Sequence, residues 1–175
     1  SFPTRRSSDL DRNHMAETIS AGILAPATGF IPDGVVDWDG SAWADNITDK
    51  SVYIDNDNYE ANLAKAKELL AEAGHPNGEG LPAMSYTTND AGLNKKIAEY
   101  LQQAWKELGI NVEVNIVEWK SFIPQRRSGN YQLARDGWVM DYNDPSNLLE
   151  CAYSSNGNNS SRYKSPEFDA LLDKA

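Results

Sequence analysis

The sequence has one cysteine, Cys151, so an internal disulfide is excluded. Its two histidines, His14 and His75, are far apart and lack zinc-ligand spacing, and both read as surface positions. No apolar run reaches the roughly 18 residues of a membrane span. Basic residues are outnumbered, 16 against 26 acidic, for a net charge of −10. Neutralising phosphates takes clustered Lys and Arg, and Arg5-Arg6 and Arg126-Arg127 are too short to be patches. Nucleic acid is therefore excluded as a partner. A Ser/His/Asp set, a metal-ligand cluster and a Gly-rich phosphate loop are also missing. The one arrangement open to catalysis is a carboxylate pair such as Glu118 and Asp141, so no enzymatic activity, metal or cofactor is expected.

What is present suits one globular domain with its own core: 175 residues, 40% of them hydrophobic. The opening SFPTRRSSDL has no periodicity and reads as a translated sequencing adapter joined to an open reading frame. Residues 1–10 are therefore set apart from 11–175. Without them the balance is 14 basic to 25 acidic residues, or −11. The closing SPEFDALLDKA stops inside a helical pattern, so 11–175 is expected to be truncated at both ends.

Along the chain, Met15, Ile19 and Ile23 recur every four residues and predict a helix over 11–23. Prolines and glycines in APATGFIPDG break it, and 33–57 reads as polar loop. Leu63, Ala66, Leu69, Leu70 and Ala73 form one stripe of a helix over 59–73, with Asn58 to cap it and Gly74 at C′. A strand over 81–87 and a helix over 91–108 follow, the latter with Ile97, Leu101, Ala104, Trp105 and Leu108 on one face. Ile110, Val112, Val114 and Ile116 alternate with polar residues, which predicts a half-buried strand. A short helix over 119–128, bent or delayed by Pro124, leads to a strand over 131–139. Strands alternating with helices predict an α/β layered domain with parallel crossovers. Ligands of such sheets lie beyond the carboxyl ends of the strands.

One of those ends carries ARDGWVMDYNDPSN, residues 134–147. A strand there can offer its backbone to an extended peptide, and Gly137 permits close approach. Asp141, just past it, suits a peptide α-ammonium group, or alternatively caps the turn at Asn143-Asp144-Pro145. Arg135 sits among apolar neighbours and needs an anionic partner. Trp119 suits a ligand pocket or the core, and Arg126 a pocket or solvent.

The stretch ARDGWVMDYNDPSNLL with SSNGNNSSRYKSPEFDALLDKA resembles oligopeptide-binding proteins of ABC importers, the family 5 solute-binding proteins. Upstream, AKELLAEAG, LNKKIAEYLQQAWKELGINVEV and EWKSFIPQRRSGNYQLARDGW follow the family in order and spacing, and DRNHMAETISAGILAPATGFIP resembles the opening of its second ligand-binding lobe. The resemblance implies one lobe of a type II periplasmic-binding-protein fold, a layered sheet with flanking helices. It implies a monomer that captures short peptides and delivers them to importer membrane subunits. The implied location is the periplasm or the outer face of the membrane, with a lipid anchor in Gram-positive cells. By the same resemblance Asp141 receives the peptide α-amino group, and Gly137, Trp138 and Val139 bond the ligand backbone. Trp138 and Trp119 line pockets, Arg135 meets the peptide carboxylate, and Arg126 is a polar pocket residue. Asn94 in LNKK stands where some members have histidine, which alters the expected C-terminal contact. Oligosaccharide, nickel or haem binding, and a peptide-sensing receptor, are the alternatives that the resemblance leaves open.

Overall fold

The computed structural model describes residues 9–47 and 55–175. Its frame runs helix α1 (Tyr59–Glu72), strand β1 (Met84–Asn89), helix α2 (Gly92–Lys106), strand β2 (Val112–Val117), helix α3 (Trp119–Ser128) and strand β3 (Leu133–Ala134). Helix α4 (Pro166–Leu172) closes the described chain, capped by the Ser165 hydroxyl, which accepts the Phe168 amide at 3.2 Å.

The two long helices form where the apolar stripes predict them. Leu63 and Leu70 of α1, Ala98, Leu101 and Trp105 of α2, and Tyr86 and Val112 of the sheet make one buried cluster with Leu108 and Ile110. Helix α1 ends as expected at Gly74, and the His75 amide donates back to the Leu70 carbonyl at 2.8 Å. Asn58 stands at the N-cap position, but its amide donates to Asp55 at 2.9 Å instead of capping.

Among the described residues the sheet is three-stranded and parallel, in the order β2-β1-β3. Met84 to Asn89 pair in register with Val112 to Val117, and Tyr86 and Thr87 pair with Leu133 and Ala134. The chain thus crosses to one side of β1 through α2, then returns to the other side through α3. Right-handed crossovers in opposite directions place these helices on opposite faces of the sheet. Accordingly the fully buried Phe122 of α3 lies outside the α1–α2 cluster.

Several boundaries differ from the sequence reading, each for a local hydrogen-bonding reason. The first strand starts at Met84 rather than 81, because Pro82 has no N–H to give a ladder. The second starts at Val112, because the Ile110 amide is taken by the Trp105 carbonyl at 3.0 Å. Helix α3 starts at Trp119 with Pro124 inside it, so the proline does not delay it. The helix expected over 11–23 is a turn at Arg12–His14 running into a π-helical turn at Met15–Ile19. It stops at buried Ser20, whose hydroxyl donates to the Ala16 carbonyl at 2.7 Å, and Ile23 is left exposed. Within the expected loop 33–57, Val36 and Ala42 form an antiparallel bridge before a helical turn at Trp43–Asn46. Residues 48–54 of that loop and 1–8 of the leading segment lie outside the described residues.

Asp9 and Leu10, set apart with that leading segment, belong to the packed structure. The Trp105 indole donates to the buried Asp9 carboxylate at 3.1 Å, and Leu10 packs on the cluster. Tyr100 exchanges two 3.1 Å hydrogen bonds with the Asp11 main chain, accepting its amide and donating to its carbonyl. Burial, with the neighbouring Tyr59 and acidic residues adding to it, pushes the Tyr100 phenol up to about 12. A folded-state value raised above the usual 10 favours the protonated form, so its contribution is complete below pH 10 and lost as pH rises toward 12. Stability measured by urea unfolding is expected to fall between pH 10 and 12, and less steeply in Tyr100→Phe.

Candidate functional site

A sheet ordered β2-β1-β3 reverses its winding between β1 and β3, and ligands of open α/β sheets bind at such a point, beyond the carboxyl ends of the strands. Two segments leave the sheet at that point. One runs from Asn89 into α2, where the Asn94 amide donates to the Asn89 side chain at 2.8 Å. The other starts at Arg135, whose main-chain amide makes the last rung to the Thr87 carbonyl at 2.9 Å.

The strand expected over 131–139 is confined to Leu133–Ala134, because side chains take over its ladder at both ends. On the near side the Gln132 amide oxygen accepts the Ser85 N–H at 2.7 Å, and on the far side Asp136 accepts the Gly137 N–H at 2.7 Å. Beyond Asp136 no strand lies alongside among the described residues. Among the described residues no hydrogen bond reaches the peptide groups of Trp138 or Val139, which are 39% and 89% exposed.

The next turn is capped by Asp144 and not by Asp141. The Asp144 carboxylate accepts the Ser146 amide at 2.8 Å, and its carbonyl accepts the Asn147 amide at 3.1 Å. Hydrogen bonds from Ser146 hold the Asp144 carboxyl below its usual range. Asp141 has no part in that turn. Its main-chain N–H donates to the Asn147 side-chain oxygen at 3.3 Å, while its exposed carboxylate has no hydrogen bond or ion pair among the described residues. The same Asn147 oxygen accepts the Trp138 indole N–H at 2.8 Å. Asn143 reaches across the chain, donating to the Gly34 carbonyl at 3.1 Å and accepting the Val36 amide at 3.2 Å.

The cations sort themselves by partner. Arg126 of α3 lies over the Phe122 ring, 5.7 Å from its centroid, and its guanidinium pairs with Asp136. It is thus neither free in solvent nor open to a ligand at that nitrogen. Arg135 has no acidic partner among the described residues. Its guanidinium lies where a Cβ on Gly137 would come within 3.1 Å of it, so the glycine leaves it room. It is also close enough to Tyr86 to offset part of the upward push that burial gives that phenol. Trp119, at the carboxyl end of β2, is 49% exposed and tilted against Phe122 at 6.0 Å between ring centres, so it is not core. Sequence reasoning missed Asp136, Asn143 and Asn147; short polar residues in a turn carry no periodic signal.

Among the described residues no group of His, Cys, Asp and Glu is placed to hold a metal ion, and no helix is long and apolar enough to cross a membrane. A family model described as bacterial extracellular solute-binding proteins, family 5 Middle, matches residues 9–160. The chain belongs to this family. Among family 5 relatives, it is 33% identical over 172 residues to the periplasmic oligopeptide-binding protein OppA of Escherichia coli, covering 93% of this chain and 28% of that one. The structure of the Escherichia coli murein tripeptide binding protein MppA superposes with a TM-score of 0.78 at 30% identity, covering 98% of this chain and 32% of the other. The periplasmic binding protein DppA of Helicobacter pylori, solved in complex with the peptide STSA, gives 0.74 at 28% identity, over 96% of this chain and 30% of the other. The chain thus spans less than a third of the length of these relatives. Its fold is the type II periplasmic-binding-protein lobe expected of family 5, an α/β layer with a parallel sheet and flanking helices.

Proposed function

We propose that residues 11–175, with Asp9 and Leu10 packed onto them, form the second ligand-binding lobe of a protein that captures short extended peptides for an ABC importer. The observation that carries this reading is Asp141: its amide is held by a buried side chain while its carboxylate projects unpaired beside unpaired backbone. An exposed anion at the start of a free main-chain segment suits a peptide whose ammonium group sets the register. The peptide groups of Trp138 and Val139 continue the sheet along the ligand, and Gly137 lets the chains approach.

Arg135, the unpaired cation at the other end of this segment, neutralises the peptide carboxylate. Asp141 lies six positions further along the chain, so the two Cα atoms are at most about 22 Å apart, which accommodates a peptide of a few residues. Trp138 and Trp119 supply apolar walls for side chains. Arg126 acts through Asp136, which it holds against the Gly137 amide. Capture involves no covalent step. A first lobe closes over the other side of the ligand, and the closed monomer docks on the importer outside the cytoplasmic membrane, in the periplasm or, lipid-anchored, at a Gram-positive surface.

Native mass spectrometry of the gently purified intact protein tests this reading. A ladder of co-purified masses matching short peptides is expected. A single sugar, haem or metal mass would overturn it and bring forward stacking on Trp119 and Trp138.

A further inference from the structure

We propose that Asn147 is the positioning residue of this site: one buried side-chain oxygen aims both the anion and the aromatic wall that meet the ligand. The inference rests on the peptide-binding reading above and names a residue that acts through Asp141 and Trp138 without touching the peptide. Asn147 is 5% exposed, in the short helix Ser146–Leu149 that follows the Asp144 turn. Its Oδ1 accepts from the Trp138 indole at 2.8 Å and from the Asp141 main-chain amide at 3.3 Å. Both partners can only donate, so the amide orientation is settled: the oxygen faces them.

The consequence is geometric. Residues 136–140 have no sheet neighbour among the described residues to hold them, and without a further tie the stretch would be free to swing at its far end. Asn147 closes that end. By holding the Asp141 backbone it fixes where the carboxylate projects, and by holding the indole it fixes the plane of Trp138. Asp144 in turn fixes Asn147, through the 3.1 Å bond from the Asn147 amide to the Asp144 carbonyl. A neutral amide suits the position, because a carboxylate so close to Asp141 would repel it and would be costly to bury.

The test compares two probes: a defined mixture of tri- and tetrapeptides, and the same mixture N-acetylated, which removes the ammonium group. Binding of each to the intact protein is measured for wild type, Asn147→Leu and Asn147→Ala. Wild type is expected to prefer the free-amino mixture by at least tenfold. In Asn147→Leu and Asn147→Ala that preference is expected to shrink severalfold, the free-amino mixture losing more than the acetylated one, and the Trp138 indole NMR resonance is expected to shift. A general loss of fold would weaken both mixtures alike, and the alanine variant covers the case in which leucine does not fold. Undiminished preference in both the leucine and alanine variants overturns the role of Asn147 alone. No preference in wild type overturns the peptide reading and this inference together.

Discussion

Asp141→Asn in the intact protein is expected to weaken binding of peptides with a free amino terminus by about 100-fold, or ~2.8 kcal/mol. The wild-type carboxylate offers a full charge to the ammonium group in a site that closure removes from water, where truncating one partner of a charge pair costs roughly 2–5 kcal/mol. Asparagine keeps the shape and one acceptor oxygen but loses the charge. The fold has little at stake, because the carboxylate is exposed and makes no hydrogen bond among the described residues. Calorimetric titration with the tri- and tetrapeptide mixture, alongside urea unfolding, separates the two effects. An unchanged affinity would move the ammonium site away from Asp141.

Gly109→Ala is expected to destabilise the lobe by about 3 kcal/mol or more, among the larger effects of any single substitution. Gly109 has φ +74°, and a Cβ there would sit 1.7 Å from the Asn77 carbonyl oxygen. Across the same contact, a Cβ on Gly78 would sit 2.2 Å from the Gly109 oxygen. Two backbones thus touch where α2 and α1 give way to the strands, and neither can yield without moving its loop. Gly74 provides the control: its φ is +87°, but nothing lies within 4 Å of its Cβ position. Gly74→Ala is expected to cost only the left-handed backbone penalty, about 1–2 kcal/mol. Urea unfolding of both variants checks the ranking, and equal costs would show that crowding at 77–78 and 109 is relieved cheaply.

The long elements were legible in the sequence because burial of one face repeats with the period of the element. Leu63, Ala66 and Leu70 mark α1, and Ile97, Leu101 and Trp105 mark α2, on spacing alone. Their ends were less legible, because single hydrogen bonds decide them. The Ile110 amide turns back to Trp105, and the Ser20 hydroxyl turns back to Ala16. The family 5 likeness was also readable, since ARDGWVMDYNDPSNLL and the motifs upstream of it run in family order.

The state of each candidate site residue was not readable. An aspartate before Asn-Asp-Pro suits a cap as well as a ligand, and only the turn geometry shows that Asp144 does the capping while Asp141 stays unpaired. Likewise two adjacent arginines, Arg126 and Arg127, look alike in sequence, yet only Arg126 pairs with Asp136.

By itself the sequence determined the α/β alternation, the order of elements and the family, because these follow from periodic burial and from motifs contiguous in the chain. Tertiary structure alone decided that β1 lies between β2 and β3, which places the reversal of winding beside the end of β3. It alone decided that Asn147, six residues past Asp141, turns back to hold it. Strand order and polar contacts are set by which donors and acceptors meet in space, and spacing along the chain does not encode those meetings.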